Sequence, residues 1–277
     1  MNIRKVAATR TRPEAVSLLY PELSTQAPSH SAASVSPHFE IPPVGSVTVV
    51  MPAFNEEGSI RECLRRVLQE VSVMEVIVVD DASADATASI VEEVAGNDLR
   101  VRLERHTTNR GKGAALRTGF ALATGMVVLV QDADLEYDPA EYDKVLRPIL
   151  QGRVDVVFGS RFMSGSTCSI RYFRQRVGNR MLTLLSNCFS GLNLSDVECG
   201  TKVFRRDVLE RLDLKEPRFS IEPELVAKVA SIGVRVQEIP ISYCGRSYAE
   251  GKKIGWKDGA HAFWAILKYG IEHQRES

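Results

Sequence analysis

From Ser46 onward, short apolar runs rich in β-branched residues alternate with longer segments whose apolar positions recur at helical spacing. Residues 47–51, 75–79, 99–104, 126–130 and 154–158 read as strands, being short, β-branched and bounded by polar or turn-forming residues. Between them, residues 57–70 carry Ile60, Leu64, Val67 and Leu68 on one face, and further helices are expected near 84–95, 113–123 and 139–150. An apolar helix follows Phe219-Ser220-Ile221-Glu222-Pro223-Glu224. The last helix, 256–272, has Ala260, Phe263, Trp264, Leu267 and Ile271 at helical spacing, a stripe that ordinarily packs on a core. Apolar strands alternating with helices specify an α/β fold, a mostly parallel sheet flanked by helices in a single domain.

The first 45 residues follow another rule. Ser, Pro, Ala and His crowd positions 21–43 without either period. Such a segment buries too little apolar surface to offset its chain entropy, so 1–45 is expected to be a disordered leader and 46–277 the folded domain. Arg4, Lys5, Arg10 and Arg12, with no acid among the first dozen residues, weakly resemble a transit peptide. A plain extension is the simpler reading.

Composition removes several function classes. Lys plus Arg and Asp plus Glu number 35 each in 277 residues, and this neutral balance disfavours nucleic acid as a partner. No run of 18 apolar residues is present, so no membrane-spanning helix is expected. Cys63, Cys168, Cys188, Cys199 and Cys244 are scattered without a CxxC pair. They read as free thiols of a reducing, cytoplasmic compartment, not as disulfides or zinc ligands.

Open parallel sheets bind ligands outside the carboxyl ends of their strands. The polar residues there are Pro52 to Glu56, Asp80 to Ser83, Gln131 to Glu136, and Gly159 to Phe162. Carboxylates gather with Arg161 on one rim, as needed to hold a divalent cation beside an anionic ligand. Plainer readings exist for each. Asp80 to Ser83 can cap a helix, and Asp132-Ala133-Asp134 can be a loop of Asx turns. Asn109-Arg110-Gly111-Lys112-Gly113 lacks the Walker spacing and reads as a flexible basic turn whose helix start can meet an anion. Position favours the acidic triplet, because a strand delivers it to the rim, and Mg²⁺ or Mn²⁺ takes carboxylates together with substrate phosphates. Asp134 and Glu136, two apart in an extended segment, would point the same way.

Taken in order, Val-Val-Met-Pro-Ala-Phe-Asn-Glu-Glu, Val-Val-Asp-Asp-Ala-Ser, Asn-Arg-Gly-Lys-Gly, Gln-Asp-Ala-Asp-Leu-Glu-Tyr and Gly-Ser-Arg-Phe resemble family 2 glycosyltransferases of the GT-A (Rossmann-like) fold. The resemblance spans roughly residues 46–270 and lies with the branch of dolichyl-phosphate mannosyltransferases and related polyprenyl-phosphate glycosyltransferases. It implies that Pro52, Phe54 and Glu56 border the base and ribose, that Asp80 and Asp81 bind them, and that Lys112 and Asp132 face the nucleotide. It further implies Mg²⁺ or Mn²⁺ held by Asp132, Asp134 and Glu136, with Asp134, Arg161 and Lys202 as the catalytic group. Lys202 lies in Asp196-Val197-Glu198-Cys199-Gly200-Thr201-Lys202, which is similar to the branch's acceptor-side segment. Arg246, Lys252 and Lys253 fall in a loop placed near the donor and acceptor phosphates.

The activity so implied is inverting transfer of one hexose, mannose or glucose, from a GDP- or UDP-sugar to dolichyl or undecaprenyl phosphate. The QxxRW signature of processive synthases is absent, which fits a single transfer. Lys252, Lys253, Lys257 and Lys268 also permit peripheral contact with the cytoplasmic face of a membrane. Alternatives are a soluble hydroxyl acceptor, sugar-nucleotide nucleotidyltransfer, and a non-catalytic nucleotide-sugar binder. A hydroxyl acceptor needs a general base, whereas a phosphate monoester is already anionic near neutral pH. Neutralising Glu222 or Glu224 is therefore expected to leave transfer to a lipid phosphate measurable. The plainer reading of these acids is a capping box from Ser220.

Overall fold

Strand and helix alternate along the chain as the pattern requires. The computed structural model describes residues 46–163, 173–245 and 256–276, so the 1–45 leader lies outside the described residues. In order come β1 (Val47–Ala53), α1 (Ile60–Val67), β2 (Val73–Asp80), α2 (Thr87–Asn97), β3 (Val101–Arg105), α3 (Lys112–Leu122) and β4 (Val127–Val130). A short 3₁₀ turn then leads into α4 (Tyr142–Leu150), followed by β5 (Val156–Ser160), α5 (Phe173–Ser190), β6 (Lys202–Arg205), α6 (Arg206–Leu209), α7 (Ile221–Ser231), β7 (Val236–Pro240) and α8 (Trp256–Glu276).

The strands form one seven-stranded sheet in the order β3-β2-β1-β4-β6-β5-β7. Only β6 among them runs against its neighbours; the other pairings are parallel. Alternation along each strand feeds two cores. Val49, Met51, Val76, Val78 and Leu129 pack under Ile60, Leu64, Val67, Val91, Leu146 and Ile149 on one face. Val50, Ile77, Val79, Val128 and Val130 meet Leu116, Ile221, Leu225 and Val229 on the other. Helix α3 lies close to β1, since a Cβ on Gly119 would sit 2.3 Å from Val50 Cγ1.

The five expected strands are present, with their bounds moved by a few residues. Helices α1 and α2 start about three residues later than their periodicity suggests, because the residues before them build rim loops. The Glu57 N–H donates to Asp85 and the Ala86 N–H to Glu57. The last helix corrects its expectation. Among its described residues Ala262, Ala265, Ile266, Tyr269 and Gly270 are buried, whereas Ala260, Phe263, Trp264 and Ile271 are exposed. Among the described residues no helix is long and apolar enough to cross a membrane, and Cys63, Cys188, Cys199 and Cys244 are unpaired thiols.

Candidate active site

The reversed strand has a chemical consequence. Because β6 runs backwards, its first residue, Lys202, is in register with Val130 at the end of β4 and with Phe158 in β5. A lysine thus reaches the rim where β1, β2 and β4 end. The chain order also changes direction between β1 and β4, the switch point at which such sheets open a crevice.

Four charged side chains from separate elements meet there. Lys112, the first residue of α3, has its Nζ 2.8 Å from Asp132 Oδ1 and 2.9 Å from Glu222 Oε1. Glu222, in the first turn of α7, also accepts from Lys202 Nζ, which donates in addition to the Cys199 carbonyl. Anion and cation alternate along Asp132, Lys112, Glu222 and Lys202. The Lys202 side chain is 2% exposed and that of Glu222 5%. Burial disfavours charge on Lys112 and Glu222, yet it is outweighed. Asp132 and Glu222 hold Lys112 above its ordinary range, and Lys112 and Lys202 hold Glu222 below the usual carboxylate range. Gly200 makes room for the acid at the end of this row, since a Cβ there would lie 2.3 Å from Asp132 Oδ2.

The basic turn before α3 is pinned, contrary to its flexible reading. The Asp81 carboxylate accepts from the N–H groups of Arg110 at 2.9 Å and Gly111 at 2.6 Å, and lies 2.6 Å from His106 Nδ1. His106 Nε2 is 2.9 Å from Thr118 Oγ1. Gly111 is required where it stands: its φ is +91°, and a Cβ would meet the Pro217 carbonyl at 2.6 Å. Asp80 is buried and accepts from the Ser83 N–H at 3.3 Å. Neither acid caps α2, whose N-cap is Ala86. Pro52 and Phe54 are half-buried at the end of β1. Glu56 accepts from Ser59 Oγ at 2.9 Å, and its own N–H donates to Thr87 Oγ1 at 2.7 Å.

The acidic segment after β4 turns instead of extending, which corrects the parallel projection of Asp134 and Glu136. Leu135 sits at φ +60°; the Glu136 N–H donates to Asp134 Oδ1 at 3.1 Å, and Tyr243 Oη donates to Glu136 Oε2 at 2.8 Å. Gln131 shapes the turn, donating to the carbonyls of Asp132 and Tyr137 and accepting from Tyr142 Oη. Asn55, Ala82 and Leu135 all have positive φ, and each follows a strand at this rim. For Ala82 and Leu135 that backbone costs roughly 1–2 kcal/mol each.

Arg161 is paired already. Its guanidinium donates to Asp196 through Nε at 2.7 Å and Nη2 at 2.8 Å, and it lies over the Tyr243 ring at 5.1 Å. Asn179 of α5 donates to the same Asp196, while Glu238 of β7 accepts from the N–H groups of Ser195 and Asp196. Arg246, Lys252 and Lys253 lie outside the described residues.

The Glycosyl transferase family 2 model matches residues 48–213. The chain belongs to that family. It is 30% identical to undecaprenyl-phosphate mannosyltransferase of Micrococcus luteus over 231 residues, 81% of this chain and 94% of the relative. It is 29% identical to polyprenol monophosphomannose synthase of Mycolicibacterium smegmatis over 236 residues, 83% of this chain and 88% of the relative. Glucosyl-3-phosphoglycerate synthase from Mycobacterium tuberculosis, solved with Mn²⁺, UDP and phosphoglyceric acid, superposes with a TM-score of 0.64 at 19% identity, covering 81% of this chain and 78% of that one. The fold is therefore GT-A.

Within this family 2 glycosyltransferase, sequence reasoning missed the pairing of Glu222 with two lysines, the hold of Asp196 on Arg161, and the roles of Gln131, Gly200 and Tyr243. The capping box fails as well: Ser220 makes no capping hydrogen bond. Glu224 instead accepts from the Lys215 and Glu216 N–H groups at 2.8 Å each.

Beside the lysines, Glu198 keeps a buried Oε1 without a hydrogen-bond partner. Burial, reinforced by Glu222, pushes its carboxyl from the ordinary 4.5 up to about 7. The folded state therefore binds this proton more tightly than the unfolded chain does, and stability falls as pH rises from 4.5 to 7. Relative to Glu198→Gln, the wild type should lose about 1.4 kcal/mol per pH unit across that window, measured as urea midpoints. Parallel pH dependences for the two proteins would contradict this.

Proposed function

We propose that this glycosyltransferase moves one hexose, mannose or glucose, from a GDP- or UDP-sugar to a polyprenyl phosphate with inversion at the anomeric carbon, working as a peripheral protein at a cytoplasmic membrane face. The observation that carries the reading is the alternating row of Asp132, Lys112, Glu222 and Lys202 at the switch point of the sheet. Its two buried ammonium groups support a diphosphate binding at this rim. The relatives that act on undecaprenyl phosphate and polyprenol support the lipid acceptor.

The residues fit a hard divalent cation. Asp132, Asp134 and Glu136 offer carboxylate oxygens on one turn, and the Lys112 ammonium already rests against Asp132. Among the described residues no three acidic, histidine or cysteine side chains converge as a finished cage. Mg²⁺ needs none, taking one or two carboxylates plus substrate phosphates. When bound, the ion supplies Lewis-acid stabilisation of the leaving diphosphate. Solved relatives of the fold hold Mn²⁺ or Mg²⁺ with UDP.

In this reading Pro52, Phe54, Glu56, Asp80 and Asp81 frame the base and ribose. An oxygen of the acceptor phosphate attacks the anomeric carbon, the bond to the diphosphate breaks, and the nucleoside diphosphate leaves with the electron pair. Lys112, Lys202 and the Arg161–Asp196 pair meet the charge that develops on it. No proton needs removal, because the phosphate acceptor is an anion. The test is a screen of GDP- and UDP-sugars with Mg²⁺ or Mn²⁺ against polyprenyl phosphate. Lipid-linked label with nucleoside diphosphate released is expected. Release of pyrophosphate, or label appearing only on a soluble saccharide, would overturn the reading.

A further inference from the structure

His106, at the end of β3, has no part in the chemistry proposed above. Its N–H donates to the Asp80 carbonyl at 2.9 Å, which carries the β3–β2 pairing one residue further, and its imidazole lies between the end of β2 and α3. Only 5% of that side chain is exposed, and 4% of its partner Asp81. Nδ1 is 2.6 Å from Asp81 Oδ1, and Nε2 is 2.9 Å from Thr118 Oγ1. The Asp81 carboxylate already accepts from the N–H groups of Arg110 and Gly111, so Nδ1 is the donor of the pair.

That carboxylate is committed to the turn before α3. Three donors converge on it, and the Asn109 amide donates to the Asp81 carbonyl at 3.3 Å. Thr118 lies six residues after Lys112 on α3, about 9 Å along the axis. One imidazole therefore ties α3 at two places, its start through Asp81 and its middle through Thr118.

What the tie controls is Lys112. The N–H groups of Arg110 and Gly111 donate to Asp81, and that of Ala114 donates to the Pro217 carbonyl at 2.9 Å. With these donors used inside the protein, the Lys112 ammonium is favoured over the helix start as the group that an anion meets. A lysine is a point charge on a flexible stem. Its placement depends on its backbone as well as on Asp132 and Glu222, 2.8 and 2.9 Å away. The backbone beside it is the Gly111 turn at φ +91°, pinned by the carboxylate that His106 orients.

We propose that His106 is a positioning residue for donor binding: it aims Asp81 at the turn, and the turn sets Lys112 where the diphosphate is received. This rests on the reading that Lys112 meets the diphosphate, and not on the identity of the acceptor. The test is calorimetric titration of the full chain with GDP and UDP, with Mg²⁺ present and no acceptor. Two amides separate the two ring nitrogens, since Asn places its N–H near the position of Nδ1 and Gln near that of Nε2. His106→Asn should bind the preferred nucleotide within about twofold of wild type. His106→Gln, which leaves Asp81 without its side-chain donor, should bind about tenfold more weakly. In a Lys112→Met background the same His106→Gln change should cost less than about twofold, because the lysine it positions is gone.

Equal affinities for the two amide variants, or the His106→Gln loss retained in full in the Lys112→Met background, would overturn the proposal. So would a wild type that binds neither nucleotide. The expected binding pattern without transfer to any prenyl phosphate would support this assignment and overturn the lipid-acceptor reading.

Discussion

Glu222→Gln is expected to destabilise the protein by about 3–5 kcal/mol at neutral pH, the range for removing one partner of a buried ion pair. The substitution leaves Lys112 and Lys202, both largely buried, without their shared carboxylate. Denaturant unfolding at several pH values reads the effect. Because the Glu222 carboxyl is held below its ordinary 4.5, its contribution is fully present above that value and fades as pH falls beneath it. The gap between wild type and variant should therefore narrow in acid; a gap constant down to low pH would contradict the ion-pair account. Transfer should fall too, through displaced lysines. Loss of a base would remove the acidic limb of the pH–rate profile, whereas displaced lysines lower the profile without changing its shape. Glu224, committed to two backbone N–H groups, is a loop anchor, and Glu224→Gln should keep measurable transfer.

Asp134→Ala should abolish metal-dependent turnover, a loss of about 10²-fold or more if several kcal/mol of charge stabilisation disappear. Asp134 stands half-buried on the turn after β4, so the thermal midpoint should change little. The fall should appear in kcat with saturating nucleotide sugar, since the stabilised charge develops during reaction. Undiminished turnover in a folded variant would remove Asp134 from the metal assignment.

Much of this architecture was legible in the sequence because the central strands are buried on both faces and read as unbroken β-branched runs. The rim residues followed from where those runs stop. Strand β6 escaped, being only Lys-Val-Phe-Arg, with a charge at each end. Its reversal is what carries Lys202 to the rim, so the lysine's partners were invisible too. Lys112, Asp132 and Glu222 come from distant parts of the chain, and no local period encodes their meeting. Spacing gave the α8 stripe its helical face but not its direction. Tyr269 and Ile266 took the buried side and left Trp264 outside. Extended spacing likewise misjudged Asp134 and Glu136, because the left-handed backbone at Leu135 has no signature in a leucine.

The central claim is that the acidic rim receives the nucleotide sugar together with a divalent ion. A crystal structure with Mn²⁺ and the nucleoside diphosphate, using anomalous scattering to locate the metal, tests it most directly. The account predicts an anomalous peak at coordination distance from Asp134, with the diphosphate between it and the Lys112–Glu222–Lys202 row. Nucleotide bound elsewhere, or bound at the rim with the manganese far from Asp132, Asp134 and Glu136, would contradict it.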